Sequence, residues 1–334
     1  MLMPRNYLIG DTLNSNSFNL PIKDSIVEVE ALMRSQSNDR HPELVIALNH
    51  LIAAGGKRIR PALVLLTGNM LGADHDKLIT LAAAVEMLHT ATLVHDDLID
   101  GSLLRRGNPT LNSHWSPAAT VLTGDFIFAR AAKLAASTDC LPLMNLFAET
   151  LAIIVNGELT QLFSSRGIAT RDNYDQRIYA KTASLFEMSS RAAAMISPLE
   201  EDVVENMRKF GRNIGKAFQI VDDILDFTGD QEAVGKPVGS DLLQGLITLP
   251  TIYYIEKYPD DERITYLLNG TYFNHRDELI DLVQSIRDSG CTKQAMQDAT
   301  DLVDHAIEHL MLMPDGEERQ ALENMARFIV DRNI

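Results

Sequence analysis

Almost every long segment of this chain repeats its apolar residues at the spacing of an α-helix. One such set consists of Leu44, Ala47, Leu48 and Leu51. Spacing of this kind is typical of amphipathic helices, whereas half-buried strands alternate apolar and polar residues. No segment shows that alternation convincingly. The sequence therefore predicts an all-α fold, a bundle of helices joined by short turns.

The turns between these helices are too short to separate domains. None is a long stretch rich in Pro, Gly or Ser, and no solenoid-type repeat is visible. We expect one helical domain over residues 21–334, preceded by a loosely ordered lead-in over residues 1–20. A chain of 334 residues removes roughly 75% of its unfolded surface from water. This leaves room for a large apolar cavity inside a stable body.

The charge balance excludes several kinds of partner. The chain has 30 Lys and Arg against 46 Asp and Glu, a net charge of -16, which disfavours nucleic acid and anionic membranes. Cys140 and Cys291 are far apart and form no CxxC pattern, so we expect free structural thiols. The start resembles no signal peptide and we see no transmembrane segment, so the cytoplasm is the expected location.

Two apolar helical segments end in clusters of carboxylates. The first cluster is Asp96, Asp97 and Asp100, followed by a glycine suited to a helix C-cap. The second cluster repeats the spacing and consists of Asp222, Asp223 and Asp226. Residues three or four apart share one helix face, so these acids crowd one another. Neither cluster has basic residues at helical spacing, which argues against an ordinary solvated face. Oxygen-only ligands of this kind favour magnesium, which bridges to phosphate oxygens.

Basic residues lie in short runs near these acids. The run Gly55–Pro61 contains Lys57 and Arg60, and the pair Arg105–Arg106 follows the first acidic cluster. Lysine and arginine beside magnesium carboxylates form a site for a diphosphate. Taken singly, each cation is equally typical of an ordinary protein surface.

Six motifs occur together in this chain: the two Asp-Asp-x-x-Asp clusters, the run from Gly56 to Pro61, and Arg105-Arg106, Lys181-Thr182, Phe218-Gln219 and Gly235-Lys236-Pro237. In order and spacing, over residues 25–333, they resemble the trans-type polyprenyl diphosphate synthases. Bacterial medium- and long-chain members, such as heptaprenyl, octaprenyl and solanesyl diphosphate synthases, are the most similar. The resemblance implies an all-α bundle around a deep cavity, with the two acidic clusters facing each other across its mouth, in a homodimer.

The resemblance also implies a role for each matching residue. Two magnesium ions are expected at Asp96 and Asp100 and a third at Asp222, with the shell completed by Asp97, Asp223, Asp226 and Asp241. The allylic diphosphate is expected to bind Arg105, Lys181 and Lys236. Isopentenyl diphosphate is expected to bind Lys57, Arg60, His89 and Arg106. Thr182, Gln219 and the carbonyl of Lys181 are similar to the groups that stabilise the allylic cation. Without the resemblance, His89 is equally typical of a histidine in the protein core. Thr182 and Gln219 are equally typical of buried polar groups with ordinary hydrogen-bond partners.

The implied reaction is ionisation, condensation and elimination. Metal and cations stabilise negative charge on the departing diphosphate, and the released diphosphate takes the final proton. No side-chain base is needed. The chain departs from many members of the family at Leu246, where they carry a second lysine. Both acidic clusters are intact, so we expect activity with an altered substrate affinity.

Product length depends on the residues one helical turn below Asp96. These are Thr92 and Ala91, at a level where short-chain relatives carry bulky aromatic side chains. The first cluster also lacks the two extra residues of bacterial short-chain types. We expect an open tunnel and a product of about seven to ten isoprene units. The alternative is that Ala91 simply packs tightly against a neighbouring helix.

Three other functions compete with this one. A short-chain synthase, making farnesyl or geranylgeranyl diphosphate, shares every motif except the chain-length residues. A class I terpene cyclase has a second metal motif of the Asn/Asp, Ser/Thr, Glu type, which the segment 222–226 does not match. A non-catalytic subunit of a heteromeric prenyltransferase normally has eroded carboxylates, and here all six remain.

Overall fold

The structure, a computed structural model, describes residues 18–38, 40–105, 107–164, 170–198, 201–229 and 238–331. Most of the expected lead-in, residues 1–17, lies outside these ranges. Phe18 is fully buried, and its ring centroid lies 5.7 Å from that of Phe328 near the C-terminus. The packed part of the described chain therefore begins at Phe18.

The prediction of an all-α fold is confirmed. The first nine helices are α1 Lys23–Ser35, α2 Pro42–Ala53, α3 Ile59–Met70, α4 His75–Ile99, α5 Pro117–Ala136, α6 Leu141–Ser164, α7 Arg171–Ile178, α8 Ser184–Met195 and α9 Glu201–Thr228. The others are α10 Ser240–Leu243, α11 Leu249–Lys257, α12 Glu262–Leu268, α13 Arg276–Asp288, α14 Cys291–Leu310 and α15 Glu317–Asp331. A π-helix, Tyr179–Ala183, joins α7 to α8, and 3-10 turns occur at Leu20–Ile22, Leu111–Ser113 and Tyr272–Asn274.

The described residues contain one small departure from an all-helical chain. Strands β1 Leu104–Arg105 and β2 Asn108–Pro109 pair antiparallel, with Leu104 opposite Pro109 and Arg105 opposite Asn108. Gly107 has a φ of +77°, a left-handed conformation that glycine adopts without strain and that suits a tight hairpin. The hairpin fixes the position of Arg105 just beyond the end of α4.

Helix α4 is the central helix of the bundle. Asp74 caps its N-terminus by accepting a hydrogen bond from the Lys77 N–H at 3.0 Å. The helix packs against α1, α3, α5 and α8, so it is apolar on most sides. Its last residues carry the first acidic cluster, and Gly101 follows with a φ of +63°.

Helix α9 carries the second acidic cluster and approaches the π-helix closely. A Cβ atom added to Gly215 would lie 2.7 Å from the Cα of Ala183. A Cβ on Gly211 would lie 2.1 Å from the Ser190 hydroxyl oxygen. Only glycine permits this spacing. Gly215 therefore brings α9 directly against the π-helix that contains Lys181 and Thr182, and Gly211 brings α9 against α8.

Among the described helices, α4 and the segment Leu141–Phe163 of α6 are long and apolar enough to span a membrane by length and composition. In α4, 72% of the apolar window is buried inside the bundle, which identifies it as a core helix. In α6 only 22% of the apolar window is buried. The same helix carries Glu149 and Glu158. One side of α6 therefore presents a large apolar surface.

Candidate active site

The turn before α3 holds the first basic run in an unusual conformation. Arg58 adopts a left-handed backbone conformation, with a φ of +48°. Its guanidinium donates to Glu30 at 2.9 Å, to Glu86 at 2.7 Å and to the carbonyl oxygen of Ile52 at 2.8 Å. The side chains of Arg58 and Glu86 are only 11% and 8% exposed. The buried ion pair thus anchors the turn to α4, a role that sequence reasoning missed because Arg58 looked like any other cation of the run.

Lys57 and Arg60 flank this anchored turn. The Lys57 Nζ lies 4.7 Å from the centroid of the Phe328 ring, and the Arg60 guanidinium lies 4.8 Å from that of Phe186. An Arg60 nitrogen also lies 3.1 Å from Nε2 of His89. Because arginine can only donate, this His89 nitrogen accepts the hydrogen bond.

These residues line one side of a cavity of about 440 Å³. Its wall also includes members of both acidic clusters and one further predicted cation, namely Asp97, Asp222 and Arg105. The structure therefore brings Lys57, Arg60 and His89, predicted to bind isopentenyl diphosphate, together with Arg105, predicted to bind the allylic diphosphate. Arg106, predicted to bind isopentenyl diphosphate, lies outside the described residues.

The three acids of the first cluster face different surroundings. Asp97 is buried and accepts a hydrogen bond from Arg105 Nε at 2.9 Å, while Arg105 Nη2 lies 2.9 Å from the same carboxylate oxygen. Asp100 is exposed at the C-cap of α4. Asp96 lies at a second cavity of about 460 Å³ on another face of α4. Burial and the nearby Glu158 carboxylate, the two largest causes, raise the pKa of Asp96 to about 6.

Glu158 is an acidic residue of the site that sequence reasoning missed. It lies on α6, lines the same cavity as Asp96, and one of its oxygens lies 3.7 Å from the Lys181 Nζ. Glu158 is one of two acids on α6, and no local sequence signal separates it from a solvated glutamate. The preceding Gly157 allows the close approach, since a Cβ there would lie 2.5 Å from the Cβ of Ala180.

A chain of hydrogen bonds links the π-helix to the second acidic cluster. The Thr182 hydroxyl donates to the Gln219 amide oxygen at 2.5 Å, and the Gln219 amide nitrogen donates to Asp223 at 2.7 Å. The Tyr174 hydroxyl donates to the other oxygen of Asp223 at 2.7 Å. Burial and the neighbouring carboxylate of Asp241 raise the pKa of Asp223 to about 7. Thr182 and Gln219, predicted from distant motifs, are thus direct partners.

Asp226, the third acid of the second cluster, binds the segment that follows. Its carboxylate accepts hydrogen bonds from the Ser240 N–H at 3.2 Å, the Ser240 hydroxyl at 2.7 Å and the Asp241 N–H at 3.1 Å. These contacts hold the start of α10 against the end of α9. Lys236, predicted as part of the allylic clamp, lies outside the described residues.

The donor set of the two clusters fits a hard divalent cation. Within the described ranges, no group of three or more His, Cys, Asp or Glu side chains already converges at metal-binding geometry. Burial, together with a neighbouring carboxylate, raises the pKa of Asp96 and of Asp223. A bound cation would stabilise the charged form of such carboxylates. Carboxylate oxygens without His or Cys ligands are the donors that magnesium prefers.

Fold and site together define an all-helical enzyme for diphosphate substrates with apolar tails. Two acidic helix ends and a basic turn provide charge, and an apolar cavity begins beside Asp96. The model of the family described as Polyprenyl synthetase matches residues 41–286. The chain belongs to this family and is a prenyltransferase, so the prediction from its motifs is confirmed.

Relatives and solved structures agree with this membership. The chain is 34% identical to solanesyl-diphosphate synthase 2, chloroplastic, from Oryza sativa subsp. japonica, over 97% of the chain and 81% of that protein. It is 34% identical to octaprenyl diphosphate synthase of Escherichia coli, over 85% and 88%. The crystal structure of heptaprenyl diphosphate synthase from Staphylococcus aureus has a TM-score of 0.89 at 33% identity, covering 95% of this chain and 100% of that one. A polyprenyl synthase from Caulobacter crescentus, complexed with calcium and isoprenyl diphosphate, has a TM-score of 0.88 at 34% identity, covering 98% and 99%.

Proposed function

We propose that this chain condenses isopentenyl diphosphate with an allylic diphosphate, farnesyl or geranylgeranyl diphosphate, to make a trans-polyprenyl diphosphate of medium or long chain. The expected product has about seven to ten isoprene units. The names of the relatives, solanesyl, octaprenyl and heptaprenyl diphosphate synthase, support this length. The observation that carries the proposal is the apolar cavity that starts at Asp96, beside a basic cavity on the other side of α4.

The two cavities suit the two substrates. The basic cavity, with Lys57, Arg60 and His89, suits the diphosphate of isopentenyl diphosphate. The second cavity is lined mainly by apolar side chains of α4, α5 and α6 and suits the hydrocarbon tail of the allylic substrate. Asp96 and Lys181 lie near its mouth, where the allylic diphosphate would bind.

Different residues of the site are expected to act on the departing diphosphate and on the allylic cation. The C–O bond of the allylic diphosphate breaks, and we expect Arg105, Lys181 and Lys236 to bind the departing anion. Bound magnesium, which we expect as three ions held by the two clusters, supplies further positive charge for this anion. The Thr182 hydroxyl and the Gln219 amide hydrogen-bond to each other. We expect their oxygen atoms to stabilise the allylic cation.

Condensation and elimination complete the cycle. The double bond of isopentenyl diphosphate attacks the allylic cation, and its electron pair forms the new C–C bond. The resulting cation loses a proton, which the released diphosphate accepts, and a double bond forms in its place. Water has to be excluded from the cation, and the apolar wall around Ala91 and Leu88 serves this purpose.

We also propose that the enzyme is a homodimer that joins through α5 and α6. Five large apolar side chains on these helices are at least 49% exposed: Leu122, Leu141, Val155, Leu162 and Phe163. Exposed apolar surface of this kind marks an interaction site. A second copy of the chain would cover it, and would also close the side of the allylic cavity that Val155 and Leu162 line.

Product sizing tests the proposed function. Purified protein is incubated with farnesyl diphosphate, labelled isopentenyl diphosphate and magnesium, and the dephosphorylated products are separated by length. We expect products of about seven to ten isoprene units and none after chelation of the metal. Products that stop at three or four units would exclude the long-chain assignment, and absence of any product would exclude the elongation activity.

A further inference from the structure

Asp223, the middle acid of the second cluster, is engaged inside the protein and not at a cavity wall. It is only 4% exposed. Its neighbour Asp222 lines the basic cavity, whereas Asp223 lines neither of the two cavities described above. One carboxylate oxygen of Asp223 accepts from the Gln219 amide nitrogen at 2.7 Å, and the other accepts from the Tyr174 hydroxyl at 2.7 Å. Each oxygen therefore already has a donor from the protein.

The Asp223 carboxylate determines which way the Gln219 amide points. An ionised carboxylate can only accept hydrogen bonds, so it selects the nitrogen of the amide. The reversed amide would bring two acceptor oxygens together at this contact. The amide oxygen consequently faces the Thr182 hydroxyl, which donates to it at 2.5 Å. Asp223 thus orients the oxygen that we expect to stabilise the allylic cation.

Tyr174 holds the other oxygen of the Asp223 carboxylate in place. Tyr174 is 4% exposed and lies on α7. The next residue of α7, Asp175, accepts from the Lys216 Nζ of α9 at 2.7 Å and 2.8 Å through its two carboxylate oxygens. The Lys216 side chain is only 11% exposed. This ion pair holds α7 against α9, so the Tyr174 hydroxyl has a fixed position relative to Asp223.

We propose that Tyr174 is a positioning residue, which acts through Asp223 to hold the Gln219 amide oxygen toward the allylic cation. Asp223 serves this hydrogen-bond chain and does not bind magnesium, in contrast to the role that the family resemblance implies for it. Tyr174 lines neither cavity, so it acts only through its partners. The inference rests on the proposed elongation activity.

Tyr174→Phe tests the chain because it removes one hydroxyl and keeps the ring. A hydrogen bond to a charged group is lost, and we expect kcat to fall about tenfold. The KM for each substrate should change less than about twofold, because no group that binds a diphosphate is altered. In a Gln219→Ala background, the amide to be oriented is absent, so Tyr174→Phe should lower kcat no further.

Tyr254→Phe is the matched control. The Tyr254 hydroxyl likewise donates to an aspartate, Asp261, at 2.9 Å, and Tyr254 is 5% exposed. Neither residue lines either cavity. The same hydroxyl is removed from an equally buried tyrosine, so kcat should stay at the wild-type value.

Magnesium binding is measured without turnover. Inorganic diphosphate and magnesium are added to each variant, and the magnesium concentration that half-saturates the resulting rise in Tm is determined. Tyr174→Phe and Asp223→Asn should need the wild-type concentration, because neither removes a metal ligand. Asp222→Asn should need on the order of tenfold more, because it removes a carboxylate from the cavity that we expect to hold the metal.

The outcomes separate this inference from the function beneath it. If the wild type makes no product, the elongation activity is refuted and the inference with it. If the wild type elongates and Tyr174→Phe keeps its kcat, or the losses multiply in the Gln219→Ala background, the positioning role is refuted and the elongation activity stands. A higher magnesium requirement in Asp223→Asn would make Asp223 a metal ligand and would equally overturn the inference. Should Tyr174→Phe fail to fold, Asp223→Asn breaks the same chain, and its loss of kcat must likewise vanish in the Gln219→Ala background.

Discussion

Arg58 shows how one residue outside the expected ligand set can position several inside it. Its left-handed backbone costs a non-glycine residue about 1–2 kcal/mol, which the three hydrogen bonds of its guanidinium offset. Glu86 and His89 lie one turn apart on α4, so the same helix holds Arg58 through one and Arg60 through the other. The basic turn is therefore held at a fixed position along α4, the helix that carries the first acidic cluster.

Replacing Arg58 tests this arrangement. Arg58→Met leaves Glu86 buried without its cation, and we expect a loss of about 3 kcal/mol in the free energy of unfolding. The loosened turn should raise the KM for isopentenyl diphosphate about tenfold, and that for the allylic substrate much less. Steady-state kinetics with each substrate varied in turn, together with chemical denaturation, measure both effects.

The matched control is Arg34→Met. Arg34 also contacts Glu30, at 3.4 Å, but its side chain is 40% exposed. Exposed ion pairs contribute about 1 kcal/mol or less, so this variant should behave like the wild type. Equal increases in KM for both substrates in Arg58→Met would contradict the positioning role.

At the scale of the element, the π-helix Tyr179–Ala183 is the most distinctive feature. π-helical turns are rare and occur frequently at functional sites. This one carries Lys181 and Thr182, and it lies between Gly157 of α6 and Gly215 of α9, both of which approach it too closely for a side chain. Two neighbouring helices thus fix the position of Lys181 and Thr182, the groups that we propose for binding the allylic substrate.

Gly157→Ala tests how sensitive the site is to this packing. The new Cβ would lie 2.5 Å from the Cβ of Ala180, so the π-helix has to shift. Overpacking costs about 1–3 kcal/mol, and the better helix propensity of alanine returns about 1 kcal/mol. We expect a small change in Tm but a loss of kcat of about tenfold or more, because displaced catalytic groups lose their alignment.

Gly316→Ala provides the comparison for that variant. A Cβ at Gly316, in the turn between α14 and α15, would meet only the flexible Glu318 side chain, at 3.4 Å. Its kcat and Tm should stay at wild-type values. If kcat in Gly157→Ala fell only in proportion to a loss of folded protein, the packing of the π-helix would have no specific role.

For the molecule as a whole, local signals predicted the fold and supplied the candidate site residues. Helical spacing predicted the all-α class. The aspartates at the ends of α4 and α9 were recognised from the residues directly around them in the sequence. Family resemblance picked out Thr182 and Gln219 as separate groups of the site, and the structure joins them by a hydrogen bond. Such features depend on residues close in sequence or on a known motif order.

The remaining features depend on which distant helices pack together. Glu158 lies on an apolar helix without any local mark of function, and only the convergence of α4, α5 and α6 brings it to the same cavity as Asp96. Likewise, the two aspartate clusters have the same spacing, which predicts the same surroundings for corresponding residues. In the structure their partners differ, because Asp97 pairs with Arg105 and Asp226 caps the start of α10. The spacing of residues in a helix predicts which of them share a face. Which other residues that face contacts depends on tertiary packing.

The central claim is that the acidic ends of α4 and α9 act as one magnesium site around one diphosphate. A double-mutant cycle on kcat with Asp96→Asn and Asp222→Asn, at saturating magnesium and substrates, measures this coupling directly. Each single variant should lose on the order of 10³-fold in kcat, and the double variant should lose little more, because either change disables the shared site. Asp301→Asn, an exposed acid of α14, should retain wild-type activity. Losses that multiply in the double variant, or a single variant that keeps more than about a tenth of the wild-type rate, would contradict the claim.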